Sequence, residues 1–136
     1  MTSITGKASV GRIKHLAMVP ARHRYLSVEP LVQDPQITPA LLRDAAGKSV
    51  IDWLNVGGES DQGQFQGREF KVEWARALIA VAREVGAAPF IKQLGSNPTL
   101  NGRPMDLPDV HGGKWEAWPR DVRVREMPPE SALVAA

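Results

Sequence analysis

Ile51-Asp52-Trp53-Leu54-Asn55-Val56-Gly57-Gly58-Glu59-Ser60 is an alternating apolar run that ends in a glycine pair. Val50 to Val56 reads as a strand. Leu54 and Val56 point one way, and Trp53 and Asn55 point the other. The same pattern recurs on both sides. Upstream, Arg24-Tyr25-Leu26-Ser27-Val28-Glu29 alternates and stops at Pro30; downstream, Pro89-Phe90-Ile91-Lys92-Gln93-Leu94 is closed by Gly95. Helical patterns separate these runs. Ala8 to Met18 has Val10, Ile13, Leu16 and Ala17 on one face and stops before Pro20. Thr38-Pro39 is an N-cap followed by proline, leading into Leu41, Leu42 and Ala45 and ending at Gly47. Val72 to Val85 has the clearest period, with Ala75, Leu78, Ile79 and Ala82 on one side and Gly86 beyond its end.

The order α, β, α, β, α, β predicts an α/β fold with parallel strands and right-handed crossovers. After Gly95 the chain turns loop-rich, with Pro98, Pro104, Pro108, Gly112 and Gly113, and reads as an irregular C-terminal cap. The expected organisation is a flexible tail over 1–8, one α/β domain over 9–128 (partial barrel 9–95, cap 96–128) and a second flexible tail over 129–136. A closed barrel needs about eight strands, so the predicted sheet is incomplete.

Composition narrows the chemistry. The 136 residues are 43% hydrophobic and 24% charged, ordinary for one globular domain. The absence of cysteine excludes a disulfide, a Cys-ligated zinc site, an iron–sulfur cluster and a cysteine nucleophile on this chain. His15, His23 and His111 have no metal-ligand spacing, so no metal site is predicted. A net charge of +2 is too small to argue for nucleic acid by itself. Residues 1–7 lack the apolar core of a signal peptide, and no apolar run approaches the roughly 20 residues of a membrane helix, so the expected location is the cytoplasm.

Strand parity sorts the candidate site residues. Leu26, Val28, Leu54, Val56 and Ile91 make one face aliphatic. The other face carries Ser27, Glu29, Asn55 and Lys92, with Glu59 just beyond. Glu29, Glu59 and Lys92 fall at C-terminal strand ends, where parallel α/β folds collect ligands. Strands lie about 4.8 Å apart, so the three are expected to meet. They make either a polar pocket or an ion network that fixes register. Gly57-Gly58 makes either an anion cradle of backbone N–H groups or a plain tight turn; its spacing is neither a P-loop nor a dinucleotide fingerprint. Lys92 reads as a salt-bridged lysine ahead of a Schiff-base lysine. Trp115 and Trp118 read as a plug on the open side of the domain ahead of base-stacking platforms. Arg22, Arg24, Arg120, Arg123 and Arg125 are diluted by Glu116, Asp121 and Glu126, which favours a solvated mixed face.

The segments Arg24–Leu31, Ile51–Ser60, Trp74-Ala75-Arg76 and Phe90–Gly95, with Gly112–Pro119 and Val122–Glu126, together resemble the phage-associated three-Cys-motif protein family over about residues 9–128. That family is a radical-SAM-like domain of unknown function. The resemblance implies an α/β barrel of the radical SAM type, a [4Fe–4S] cluster on three cysteines and bound S-adenosylmethionine in full-length members. This chain has no cysteine and resembles only the C-terminal half. The resemblance carries over Ser27, Glu29, Gly57, Gly58, Glu59, Lys92 and Gln93 as strand-end motif residues; Asn55 joins them by parity.

Three functions follow as expectations. The first is a barrel half without catalysis of its own. The second is a small-molecule domain for a nucleotide or S-adenosylmethionine. The third is a nucleic-acid partner. An open barrel face and a free sheet edge also predict a homo-oligomer, or a separate chain that supplies the N-terminal half.

Overall fold

The computed structural model describes residues 1–129; the tail expected over 129–136 lies, apart from Pro129, outside the described residues. In chain order the elements are β1 (Thr2–Ser3), α1 (Arg12–Met18), β2 (Tyr25–Val28), β3 (Trp53–Gly57), β4 (Phe70–Lys71), α2 (Val72–Val85), β5 (Ala88–Gln93), β6 (Pro98–Leu100) and β7 (Arg103–Pro104). The main sheet has the order β1-β2-β3-β5, and every pair in it is parallel. This is the expected α/β class. The sheet does not close into a barrel. A second, three-stranded sheet, β4-β6-β7, flanks it.

The N-terminus corrects the expected flexible tail over 1–8. Thr2 and Ser3 pair with Leu26 and Ser27, and Ile4 is fully buried with its N–H donated to Ser27 O. Burying that isoleucine anchors the segment, so the sheet begins before the predicted boundary at residue 9. The helix predicted from Thr38 is a single 3-10 turn over Pro39–Leu42. The Asp44 carboxylate accepts from Ala46 N and Lys48 N, and this local alternative to helical bonding turns the chain back.

Leu26, Val28, Leu54, Val56 and Ile91 are buried against Ile13 and Leu16 of α1 and Ala75, Leu78 and Ile79 of α2 in one apolar cluster. α2 ends at Gly86, whose φ of 82° is the left-handed conformation that closes a helix. The opposite face of the sheet is half-buried: Tyr25 and Trp53, then Ser27, Asn55 and Phe90. Parallel sheets are ordinarily covered on both faces, so this second face is the unusual surface of the fold.

The cap closes the β5 edge. Ile91 N donates to Val124 O, and Glu126 N donates to Pro89 O. Trp118 is the predicted plug, 2% exposed, with its indole N–H donated to Gly112 O. The Arg125 guanidinium lies over Phe90, Trp115 and Trp118 and donates to Ile91 O and Lys92 O, tying cap to strand. No helix of the described residues is long and apolar enough to cross a membrane.

Candidate functional site

Glu29 follows β2, Gly57 ends β3, and Lys92 and Gln93 end β5. β2 and β5 are not neighbours. β3 lies between them, so Glu29 must reach across about 10 Å of sheet to meet β5. Gly57 leaves the way open. A Cβ there would lie 3.0 Å from Glu29 Cδ and 3.1 Å from Gln93 Oε1. Across that gap Lys92 Nζ donates to Glu29 Oε1 at 3.0 Å and Oε2 at 3.3 Å, and Gln93 Nε2 donates to Oε1 at 3.4 Å. A register shift at Val56/Gly57 sets Gly57 opposite Gln93, which brings both β5 residues to the row.

Gln93 does more than line the row. Its Oε1 accepts from Gly58 N at 2.6 Å, its Nε2 donates to Gly58 O at 2.9 Å, and its own carbonyl also accepts from Gly58 N. The Gly58 N–H is therefore spent within the fold. That leaves it unable to cradle an anion, and no tight turn forms here either: Gly57 is the last residue of β3 and Gly58 continues without a turn.

Glu59 does not join Glu29 and Lys92. Its carboxylate accepts from Arg68 Nε at 2.9 Å, Arg68 Nη2 at 2.7 Å and Arg68 N at 3.0 Å. This two-pronged contact, and the backbone bond with it, hold the Glu59 carboxyl down to about 2 from 4.5. Arg68 was not singled out in the sequence, because it stands in a loop without periodic pattern. The structure thus gathers Glu29, Gly57, Gly58, Lys92 and Gln93 and separates Glu59 from them.

That contact makes a pH prediction. A depressed carboxylate stabilises the fold fully above the unfolded value near 4.5 and loses its contribution as pH falls towards 2. Arg68 is 63% exposed, so the pair contributes at most about 1 kcal/mol. Glu59→Gln is expected to melt a few degrees below the wild type at pH 7, with the gap closing by pH 2. Thermal unfolding across that range checks it; a gap that stays constant with pH goes against the assignment.

Ser27 and Asn55 are register partners on the half-buried face, in the same row as Phe90. Asn55 Oδ1 is shielded from solvent and has no hydrogen-bond donor among the described residues. Tyr25, Trp53 and Phe90 form a chain of tilted and edge-on rings, with centroids 5.7 Å and 5.5 Å apart, towards the start of the strands. No group of three His, Cys, Asp or Glu side chains able to hold a metal occurs among the described residues.

The model of the family described as protein of unknown function (DUF5131) matches residues 1–122. The chain belongs to DUF5131. The match takes in all the strands, both helices and every residue of the strand-end row. It also begins before residue 9, in keeping with the place of β1 in the sheet. No curated protein and no solved structure matches the chain.

Proposed function

We propose that the half-buried sheet face and the row at its strand ends form one wall of a small-molecule site, and that this chain binds rather than catalyses on its own. The observation that carries the reading is Asn55 Oδ1, a shielded acceptor without a donor, lying on the same face as the Glu29–Lys92–Gln93 row. An unpaired buried acceptor costs roughly 1–3 kcal/mol, which a ligand N–H or O–H would relieve. Glu29 and Lys92 offer an acceptor for an ammonium and a donor for a carboxylate, and Phe90 offers a ring face. That set suits an amino-acid-bearing nucleoside, and S-adenosylmethionine has that chemistry.

The motif resemblance supports a finer reading of a phage-associated, cytoplasmic protein equivalent to the C-terminal half of a radical-SAM-like barrel. A second copy, or a separate chain supplying the N-terminal half, would then cover the open face and the β1 edge. A cysteine-held [4Fe–4S] cluster does not fit this chain, which has no thiol. No radical step is assigned to its residues.

Calorimetry with S-adenosylmethionine tests the site. The wild type is expected to bind in the micromolar to millimolar range. Lys92→Gln is expected to weaken binding at least fivefold while moving the melting temperature little, because an ion pair this exposed contributes under about 1 kcal/mol. Gly57→Ala, which fills the gap between Glu29 and Gln93, is expected to abolish binding. No heat at several millimolar ligand with folded protein sinks the reading.

A further inference from the structure

We propose that the outer surface of the N-terminal segment binds the phosphate backbone of duplex DNA. The basis is a segregation of charge that the net value hides. Residues 1–28 contain Lys7, Arg12, Lys14, Arg22 and Arg24 and no Asp or Glu, whereas residues 29–136 hold 12 Lys and Arg against 15 Asp and Glu. The near-neutral total is the sum of a basic first fifth and an acidic remainder.

The fold keeps four of these cations exposed and, among the described residues, without an ion pair, while Arg24 is half-buried with its guanidinium donated to Val19 O. α1 turns Ile13 and Leu16 inward, which leaves Arg12, Lys14 and His15 exposed, along with Lys7 before the helix and Arg22 after it. Elsewhere Arg68, Arg76, Arg83 and Lys92 are each paired with a carboxylate. Lys7, Arg12, Lys14 and Arg22 take part in no ion pair among the described residues. A groove of about 500 Å³ crosses this surface, lined by Thr5, Gly6, Ser9, Arg12, Lys14 and His15.

The chemistry of the surface selects its partner. Binding in the plane of a lipid surface needs an apolar helix face to enter the acyl layer; Ile13 and Leu16 of α1 are used up in the core, and only Met18 and Val19 at its end are exposed, too few to form such a face. Binding single strands needs aromatic platforms, and residues 1–24 contain no Phe, Trp or Tyr. Cations and hydroxyls without rings suit a regular line of phosphates, contacted without reading the bases. This surface shares no residue with the strand-end row, so the two proposals fail independently.

Fluorescence anisotropy with a 20-base-pair duplex and the full chain tests it. Three to four phosphate contacts predict a slope of log K against log salt near −3, or a loss of about a hundredfold from 50 to 200 mM salt. The variant Lys7→Glu/Lys14→Glu/Arg22→Glu spares Arg12, whose guanidinium donates to Ser3 O. It is expected to lose at least tenfold in affinity. Lys48→Glu/Arg103→Glu/Arg120→Glu changes the charge equally at exposed positions elsewhere, and is expected to lose less than threefold. Equal losses in the two variants overturn the proposal, because net charge alone would then explain the binding. Absence of binding at 50 mM salt, a slope near zero, or binding to vesicles one-third phosphatidylglycerol without binding to duplex also overturn it.

Discussion

Gly58→Ala is expected to lower the melting temperature by roughly 15–20 °C. A Cβ at this position would lie 2.4 Å from Leu94 O, 2.6 Å from Leu94 C and 2.8 Å from Gly95 N. All three atoms are main chain, so no rotamer change relieves the clash. The end of β3 would have to move off the end of β5. That movement breaks the bond from Gly58 N to Gln93 O and the two bonds by which the Gln93 amide brackets Gly58. Overpacking of this kind costs about 1–3 kcal/mol, and each lost hydrogen bond about 1 more. The sum, about 4–6 kcal/mol, is a large part of the 5–15 kcal/mol that typically holds a domain folded. Gly11→Ala is the control. Its φ is −56° and nothing lies within 4 Å of the added carbon, so it is expected to be neutral or to gain up to about 1 kcal/mol. Circular dichroism melts of the two variants decide the matter. A Gly58→Ala melt within 2 °C of the wild type would mean that the two strand ends do not touch.

What the sequence made legible follows from how many residues carry each signal. β2, β3 and β5 are four to six residues long, enough for alternation to show and to sort the two faces. α2 runs for 14 residues with a full apolar stripe and a glycine stop, and its predicted span matches the observed one. β1, β4 and β7 are two residues each and carry no period, so the N-terminal strand reads as a tail and the second sheet goes unseen. Parity and strand ends also brought Glu29 and Lys92 together correctly. The same argument failed for Glu59, which stands two residues past the end of β3, where alternation no longer governs direction. Its partner Arg68 comes from a loop whose path only tertiary packing sets. The register shift at Gly57 and the grip of Gln93 on Gly58 are likewise products of assembled strands, with no local signature.

The placement of Gly57 joins these points. An ion pair between strands that are not neighbours requires the strand between them to present no side chain, and a glycine at the last position of β3 meets that requirement. The first glycine of the pair therefore opens space on the sheet face, and the second lets two backbones approach. The pair does two separate jobs one residue apart, and a motif reading that treats it as one phosphate-type loop merges them.

Trp118→Ala is expected to cost about 3–5 kcal/mol, the usual range for emptying a buried aromatic site. The ring is 2% exposed, stands 6.3 Å from Trp115 and carries the Arg125 guanidinium 5.3 Å from its centre. Its removal also leaves Gly112 O without the indole donor. Trp118→Phe separates the two contributions: it keeps most of the volume and loses the hydrogen bond, for an expected cost of about 1–2 kcal/mol. The damage should spread in one direction. The cap holds the outer edge of β5 through Ile91 N to Val124 O and Glu126 N to Pro89 O, so a loosened cap uncovers a strand edge that can pair with another chain. Faster amide exchange at Ile91 and Glu126 should accompany the fall in melting temperature, while Leu26 and Leu54 on the inner strands remain protected. Uniform loss of protection across the sheet would instead show that Trp118 supports the whole core, and that the cap is not a separable cover for β5.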